Sequence, residues 1–497
     1  MLKKIKQFLF KNTTSRQTIA KNTFWLSVSN FGGRFLRSII IIYAARVLGA
    51  GEWGIFNYAI TLVAFLALFV DFGISSILIR ETAKTTDESY RSKIASTSFF
   101  IKITLVALGV LAVLFVAPHL TRIEEAKALF PIVAFILVFD SLREFGFSYT
   151  RALERMEWEA GLYIITNIAI VVSGFIFLHI HPTVRAFTFA YALGTGIGMI
   201  ATLLALRRYF SNVIFHFSRS LIALIFRSAW PFAISGTLGM LMINADIVII
   251  GWLRPAQDLG YYAAAQRFTQ LLYLLPAVLS VSVLPSFSRL VHEHSPRFRA
   301  VLERILSLMF LVAIPLAVGG IIVAPYLVAF IFGADYLPGT TSLRILLLTL
   351  LVDFPAVFLS AAIFAHDKQK LLIAYSAIGG ILNVVLDLAL IPIFGIAGSA
   401  AATLAAQIAS NVYLWYALRT IQPFAVLVHL KKILLGTVAM GCVTLFLVSL
   451  HWHVLSVIAL SIPVYFGALY LMREKLLKEI KLTLVPPPVS AEPASSV

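Results

Sequence analysis

The sequence is short of charge and of cysteine. Only 13% of its 497 residues are charged and 60% are hydrophobic, whereas a soluble domain has about 25% charged and about 45–50% apolar residues. A chain of this length with so little charge cannot cover a water-exposed surface, which excludes a large soluble enzyme. Its single cysteine, Cys442, excludes an intrachain disulfide and a thiolate metal cluster.

Long apolar runs are what the sequence has instead. A helix needs about 20 mostly apolar residues to cross the ~30 Å hydrocarbon core of a bilayer. Fourteen such stretches follow one another between residues 22 and 472. The loops between them are short and leave no room for a soluble domain. The runs predict an all-α, multi-pass integral membrane protein with about 14 transmembrane helices.

The excess of positive charge predicts the orientation of the chain. There are 40 Lys and Arg residues against 23 Asp and Glu. With the N-terminus inside, 29 of the 40 fall in cytoplasmic segments, five in extracytoplasmic loops and six within spans. Because positive residues collect in cytoplasmic loops, this distribution predicts that both termini are cytoplasmic. It also argues against a nucleic acid as partner.

A repeated hairpin indicates two related lobes. Leu48 precedes a Gly54-Ile-Phe-Asn-Tyr segment, and Leu253 precedes a similar Gly260-Tyr-Tyr-Ala segment about two hundred residues later. Two helical lobes related by a repeat around a central cavity are typical of secondary transporters. The predicted division is a basic cytoplasmic lead-in that contacts membrane lipids (1–21), an N-terminal helical lobe (22–228), a C-terminal helical lobe (229–418), two additional helices (419–472) and a partly disordered cytoplasmic tail (473–497).

Ionisable residues within the spans are the candidates for function, because each is costly in hydrocarbon. Asn30, Arg34 and Arg37 lie on one stripe of the first span. Two guanidiniums one turn apart suit the oxygens of a phosphate. Gly32 and Gly33 predict close approach by another helix or a ligand. The alternative is that both arginines pair with carboxylates or lie at the membrane interface.

Two other spans contribute to the same candidate anion site. Arg267 and Gln270 share a face of the eighth span. Arg143 of the fourth span is a further candidate, with the alternative that it pairs locally with Asp140, three residues earlier. Lys102 is expected to extend to the cytoplasmic edge of the membrane.

The acidic residues within spans are candidates for ion coupling, with H⁺ or Na⁺ as the coupling ion, or for countercharge to the arginines. A carboxylate in a low dielectric can exchange a proton or hold Na⁺. For Asp71 we favour countercharge. Arginines and aspartates together predict a cavity of mixed sign. The candidates are Asp71, Asp140, Asp246, Asp353 and Asp387, together with the amide Asn383, which shares a helix face with Asp387.

No complete phosphate-binding loop is found. Between Gly333 and Gly339 the sequence resembles half of one, but Thr340 and Thr341 follow where a lysine and then a hydroxyl are required. We find no metal-ligand pattern and no catalytic constellation. The sequence therefore predicts a transporter that is not an enzyme, is not driven by ATP and holds no cofactor.

Several motifs carry a family resemblance when they are taken in order. They are Asn22-Thr-Phe-Trp, Arg46-Val-Leu-Gly-Ala-Gly-Glu-Trp-Gly-Ile-Phe-Asn-Tyr58, Asp71-Phe-Gly-Ile, Phe332-Gly-Ala-Asp-Tyr and Asn383-Val-Val-Leu-Asp-Leu-Ala-Leu-Ile-Pro-Ile-Phe-Gly-Ile-Ala-Gly398. Together they resemble polysaccharide-biosynthesis flippases of the Wzx type, which belong to the multidrug/oligosaccharidyl-lipid/polysaccharide exporter superfamily.

The resemblance implies a MATE-like fold and a substrate class. Such proteins move an undecaprenyl-diphosphate-linked oligosaccharide, a repeat unit of O-antigen, capsule or exopolysaccharide, from the inner to the outer leaflet of the plasma (inner) membrane by alternating access. Arginines in the cavity of the family engage the diphosphate or anionic sugars, and Arg34 and Arg37 match them in kind and approximate place. Polysaccharide polymerase and glycosyltransferase machinery are the implied partners.

Three alternatives stay open at this point. A lipid II flippase shares the architecture. A cation/drug antiporter of the same superfamily would favour a cavity lined by carboxylates, against which Arg34 and Arg37 argue. A membrane glycopolymer polymerase would carry a long extracytoplasmic loop, and the longest such loop here is about ten residues.

Overall fold

The computed structural model describes residues 15–85, 87–207, 216–293, 296–426 and 430–474, and within these ranges all regular structure is helical. This confirms the predicted all-α fold. The helices are α1 Ser15–Asp71, α2 Ile74–Ala83, α3 Glu88–Leu111, α4 Phe130–Ala152, α5 Met156–Ile180, α6 Val184–Ala205, α7 Ser220–Leu253, α8 Ala256–Leu272, α9 Leu274–His292, α10 Arg297–Ile331, α11 Thr340–Leu348, α12 Leu350–Ala365, α13 Lys370–Ile421, α14 Leu430–Ser449 and α15 Val454–Leu471.

Short helical pieces complete these elements. A π-helical turn, Ala112–Val116, joins α3 to the four residues Ala117–Leu120, which prolong it. A four-residue helix, Glu124–Lys127, precedes α4. A 3₁₀ turn, Ala334–Gly339, leads into α11.

Two of the longest helices are each broken by one glycine. Gly49 in α1 has φ 72° and ψ 173°, and Gly395 in α13 has φ 59° and ψ −141°. Other residues are strained at positive φ because of their Cβ atom, whereas glycine is not. Each break therefore divides one continuous run of helix into two rods. The second rod of α1, residues 50–71, is about 33 Å long at 1.5 Å per residue, enough to cross a bilayer.

The number of rods agrees with the predicted count. Ten helices among the described residues are long and apolar enough to cross a membrane, or eleven if the bent pair Ala256–Ser280 and Val283–His292 is one span. The breaks at Gly49 and Gly395 add one rod each. Helix α4 is the fourteenth rod. It is not among the ten because it carries four charged residues, Asp140, Arg143, Glu144 and Arg151.

By its packing the chain divides into two units. The first contains the described residues up to Leu274 together with Ile331–Leu346 and Ile373–Ser410. The second contains Leu275–Phe330, Leu347–Leu372 and the described residues from Asn411 onward. These units are defined by packing rather than by the repeat, and the predicted lobes 22–228 and 229–418 stay predictions.

In the second unit, the two C-terminal helices pack on α10. Leu311 of α10, Ile433 and Met440 of α14 and Tyr465 of α15 are buried in one apolar cluster. The hydroxyl of Tyr465 donates to the carbonyl oxygen of Leu311 at 2.7 Å. A buried phenol usually finds such an acceptor, since an unpaired one is costly. The cluster attaches α14 and α15 to the body of the second unit.

The outer surface is apolar, as a surface that faces lipid should be. Large hydrophobic side chains are well exposed along several helices, for example Phe35 of α1, Ile393 of α13 and Leu471 of α15. Helices satisfy their backbone hydrogen bonds internally, so they can present such side chains to hydrocarbon. The chain is a multi-pass membrane protein.

Candidate functional site

A cavity of about 420 Å³ lies within the first unit. Its walls come from α1, α5, α8, the first residue of α9, the last residue of α10 and the residue that follows α10. The lining residues are Arg34, Arg37, Ser38, Ile41, Ile42, Tyr163, Arg267, Phe268, Gln270, Leu271, Leu274, Ile331 and Phe332. Three of these are arginines, and none of the residues that line this cavity in the described part of the chain is a carboxylate.

Helical spacing explains why the polar residues come in pairs. Arg34 and Arg37 are three residues apart on α1, and Arg267 and Gln270 are three apart on α8, so each pair faces one way. Arg267 Nη1 donates to Gln270 Oε1 at 3.3 Å. The close packing of α1 along α8 brings the two pairs to one cavity. That these four residues bind substrate stays a prediction.

The two arginines of α1 differ in their surroundings. Arg37 Nε donates to Asn167 Oδ1 at 2.9 Å. The guanidinium carbon of Arg37 lies 5.9 Å from the ring centroid of Tyr163 and 5.8 Å from that of Tyr191, within the range of cation–π contact. The side chain of Arg34 is exposed, and within the described chain its guanidinium makes no hydrogen bond or ion pair.

Gly33 allows α1 to approach α5 closely. A Cβ at Gly33 would overlap the ring of Tyr163 and lie 2.9 Å from Asn167 Nδ2. The prediction that a glycine beside the arginines admits another helix is therefore confirmed for Gly33. At Gly32 an added Cβ would meet nothing within 4 Å, so no described helix approaches closely at this position. The side chain of Asn30 lies outside the described part of the structure.

Sequence reasoning missed Tyr163 and Asn167. They lie four residues apart on α5, so they share a face of one helix. An asparagine within an apolar span is the signal that could have drawn attention to them. The contact of Asn167 with Arg37 joins residues 130 positions apart, which no local pattern shows.

A second polar cluster of the first unit is buried and acidic. Asp246 of α7 is 2% exposed and Asp387 of α13 is fully buried. Asp246 accepts hydrogen bonds from the Tyr262 hydroxyl at 2.5 Å, Gln266 Nε2 at 2.8 Å and the Ile247 backbone N–H at 2.8 Å.

Asp387 is joined to this cluster through α13. It accepts from the Ser399 hydroxyl at 2.9 Å through Oδ1, and its Oδ2 has no hydrogen-bond partner among the described residues. Asn383, one turn earlier, donates to Thr403 Oγ1 at 3.2 Å. Thr403 in turn lies 3.3 Å from the hydroxyl of Tyr262. None of these contacts, within the described chain, involves a cation.

Two family models match parts of the sequence. The model of the family described as "Polysaccharide biosynthesis protein" matches residues 19–291, more than half of the chain. The chain belongs to this family. A second family model, MatE, matches residues 231–389. The family resemblance of the motifs is thereby confirmed.

Relatives of this family member are distant but cover most of it. A protein of Haloferax volcanii named as a probable low-salt glycan biosynthesis flippase is 22% identical over 387 residues, which is 78% of this chain and 80% of the relative. A capsular polysaccharide biosynthesis protein of Staphylococcus aureus is 21% identical over 407 residues, 80% of this chain and 98% of the relative.

The fold has a solved counterpart. The lipid II flippase MurJ, in an inward closed conformation, superposes with a TM-score of 0.71 at 21% identity and covers 90% of this chain and 98% of its own. At this identity the likeness concerns the fold alone. The predicted MATE-like architecture of this family member is confirmed.

The remaining charged candidates of this family member lie outside the arginine cavity. Arg143 Nη2 lies 2.7 Å from Asp140 Oδ1, which confirms the alternative that Arg143 pairs locally. Asp71 is 2.5 Å from Lys102 Nζ. Lys102 is 2% exposed, so it is buried in this pair rather than extended to the membrane edge. Asp353, in the second unit, accepts from Asn411 Nδ2 at 3.2 Å.

These positions correct the expected charge of the cavity. A cavity of mixed sign was predicted because arginines and aspartates occur in similar numbers within the spans. Asp71 and Asp140 instead form ion pairs, Asp246 and Asp387 belong to the acidic cluster, and Asp353 lies in the second unit. The charged residues that line the cavity are all positive. The separation follows from α1 and α8 carrying the arginines on the faces that meet.

Proposed function

We propose that this protein is a flippase that moves a polyprenyl-diphosphate-linked oligosaccharide, a repeat unit of O-antigen, capsule or exopolysaccharide, from the inner to the outer leaflet by alternating access. The observation that carries the proposal is the cavity that holds three arginines and no lining carboxylate. Relatives named for glycan flipping and capsular polysaccharide biosynthesis support the substrate class.

The chemistry of the cavity suits a diphosphate. Guanidinium groups stay charged in any protein environment and bind phosphate oxygens through paired N–H donors. A diphosphate held by Arg34, Arg37 and Arg267 would have its charge neutralised, which lowers the cost of its passage through the membrane. Ligand cavities measure about 300–1,000 Å³, so a volume of about 420 Å³ suits the diphosphate with an adjacent sugar, while the lipid tail stays in the bilayer.

Ion coupling is assigned in this proposal to the acidic cluster. Asp246 and Asp387 are both buried, and none of their contacts within the described chain is with a cation. A buried carboxylate without a cation is costly unless it takes up a proton or a bound ion. Binding and release of H⁺ or Na⁺ at this cluster would drive alternation.

The proposal includes a location and an orientation. The excess of Lys and Arg in alternate loops supports a plasma-membrane protein with both termini in the cytoplasm. In that setting the substrate arrives from glycosyltransferases on the cytoplasmic side, and a polymerase uses it on the outer side.

The positive charge of the residues that line the cavity argues against one alternative function, a cation/drug antiporter. An antiporter of cationic drugs would need acidic or neutral walls, and the lining here repels cations. A lipid II flippase carries a diphosphate as well, so the cavity alone does not distinguish the two and the experiment has to.

The test is reconstitution of the full chain in liposomes with a fluorescent undecaprenyl-diphosphate-linked oligosaccharide, read by the access of a membrane-impermeant quencher. Parallel liposomes contain labelled lipid II or a cationic dye. We expect the oligosaccharide to move and the Arg34→Ala/Arg37→Ala variant to lose transport, with Arg185→Ala, an exposed arginine outside the cavity, as control. Transport of lipid II or the dye without the oligosaccharide would overturn the proposal.

A further inference from the structure

Asn167 is a fully buried amide whose two polar atoms are both bound. Its Nδ2 donates to the backbone carbonyl oxygen of Tyr163 at 2.7 Å, and its Oδ1 accepts from Arg37 Nε at 2.9 Å. A carbonyl oxygen can only accept, so the first bond determines which end of the amide faces Arg37. The acceptor is thus held in place by the α5 backbone before any ligand arrives.

This bond leaves the end of the Arg37 side chain free for the cavity. A guanidinium has five N–H donors, of which Nε carries one and the two Nη atoms carry four. With Nε bound to Asn167, the Nη donors remain for a ligand. The rings of Tyr163 and Tyr191 lie near the guanidinium, at 5.9 and 5.8 Å, and restrict its position further.

The partner of Arg37 is neutral, whereas other arginines in the same unit have acidic partners. Arg143 lies against the Asp140 carboxylate, and Arg151 pairs with the carboxylates of Glu144 and Glu159 at 3.0 and 2.5 Å. A carboxylate in contact cancels most of the field of a guanidinium, while an amide orients it and leaves its charge in place. An amide partner therefore differs from a carboxylate partner in the charge that it leaves on Arg37 as well as in geometry.

We propose that Asn167 is a positioning residue for the anionic part of the substrate: it holds Arg37 toward the cavity and, because it is neutral, leaves the positive charge of Arg37 available to the ligand. The inference rests on the proposed function in one respect, that the ligand of the cavity is an anion.

The test compares Asn167→Asp with Asn167→Ala in the full chain, with inorganic pyrophosphate as the probe and titration calorimetry as the readout. Asp has the shape of Asn and retains an oxygen acceptor for Arg37, but it adds a negative charge and, like Ala, lacks the donor to the Tyr163 carbonyl. We expect Asn167→Asp to weaken pyrophosphate binding by about tenfold or more, and Asn167→Ala to weaken it by less. Ala removes the hydrogen bond to Arg37, which contributes modestly to the binding free energy. Asp adds a negative charge that repels the pyrophosphate, which costs more. A purely structural role would make the loss with Ala at least as large as that with Asp, since both variants lose the bond to the Tyr163 carbonyl and Ala also loses packing.

A double-variant measurement keeps the proposal open to refutation if Asn167→Asp fails to fold. Asn167→Ser is compared in the native background and in Arg37→Ala. We expect Asn167→Ser to weaken pyrophosphate binding in the first and to have no further effect in the second, because Asn167 acts through Arg37. Equal losses in both backgrounds would overturn the inference.

The outcomes separate this inference from the proposed function. If the native protein neither binds pyrophosphate nor moves the lipid-linked oligosaccharide, the proposed function fails and the inference with it. If the native protein does both, and Asn167→Asp binds pyrophosphate as well as the native protein or better than Asn167→Ala, only the inference fails.

Discussion

Gly54 of α1 and Gly260 of α8 make reciprocal close contacts: each lies against the backbone carbonyl of the residue four positions before the other. A Cβ at Gly54 would overlap the carbonyl oxygen of Ala256, and a Cβ at Gly260 would overlap that of Ala50. Because the separation is four residues in both cases, the contact between this turn of α1 and this turn of α8 has approximate two-fold symmetry. These are the two repeated hairpins of the sequence, so the contact supports their origin by duplication.

This contact predicts that neither glycine tolerates a side chain. We expect Gly54→Ala and Gly260→Ala each to lower the free energy of unfolding by about 1–3 kcal/mol, because overpacking against backbone cannot be relieved by a rotamer change. The measurement is thermal unfolding of the purified protein in detergent. Gly51→Ala is the matched control: it is in the same helix with nothing within 4 Å of an added Cβ, and it should be neutral or stabilising. Equal tolerance of all three variants would contradict the close contact.

The buried pair of Lys102 and Asp71 predicts a different pattern of stability. Lys102 is 2% exposed and the Asp71 side chain 28% exposed, and Ser75 also donates to Asp71 at 2.6 Å. Asp71→Asn would leave the lysine buried without a countercharge. We expect the free energy of unfolding to fall by about 2–3 kcal/mol. This is at or below the lower end of the usual cost of breaking a buried ion pair, because Asp71 is partly exposed.

A double-variant cycle checks this pair. Lys102→Met combined with Asp71→Asn removes both charges, and we expect it to recover most of the stability that Asp71→Asn loses. Thermal unfolding of the four proteins provides the cycle. Strictly additive losses would show that the two charges do not interact energetically, whatever their distance.

The sequence could predict which residues share a helix face but not which helices meet. The spacing of Arg34 with Arg37, of Arg267 with Gln270 and of Asp140 with Arg143 placed each pair on one face, and the structure shows the local pair of Arg143 directly. Helical period is a local property, so it is readable from the chain itself.

The contacts that complete the site are long-range, so they become visible only when the packing of the helices is known. The α1 arginines and Arg267 line one cavity because α1 packs along α8, and Arg37 reaches Asn167 because Gly33 lets α1 approach α5 closely. The expected mixture of charge in the cavity was wrong for the same reason. Counting charges within spans does not show that Asp71 faces Lys102 or that Asp246 faces Tyr262.

The unequal surroundings of the two α1 arginines predict unequal effects of a lysine. Arg37→Lys loses the Nε bond to Asn167 and the planar fork, and we expect about a tenfold loss of pyrophosphate affinity. Arg34 is exposed, and its guanidinium makes no hydrogen bond or ion pair within the described residues, so Arg34→Lys should cost about two- to threefold, the loss of the fork alone. Titration calorimetry measures both, with Arg185→Lys as the control. Identical losses at the two positions would argue that Asn167 does not distinguish them.

The acidic cluster predicts that coupling and stability respond oppositely to one substitution. Asp387 Oδ2 has no hydrogen-bond partner among the described residues, and the side chain is fully buried. Asp387→Asn keeps the shape and removes a costly buried charge, so we expect unfolding at equal or higher temperature than the native protein. Flipping in liposomes should at the same time lose its response to an imposed Na⁺ or pH gradient.

Asp258→Asn is the matched control for that measurement. Asp258 lies on α8 and pairs with Arg254 at 2.8 Å near the surface, so its loss should leave the gradient response intact. Imposing the Na⁺ gradient at constant pH, and the pH gradient without Na⁺, identifies the ion. If Asp246→Asn and Asp387→Asn both flip substrate with an undiminished response, the buried carboxylates do not couple transport. The driving force must then act elsewhere, because a gradient can shift the alternation only through a site that binds its ion differently in the two states.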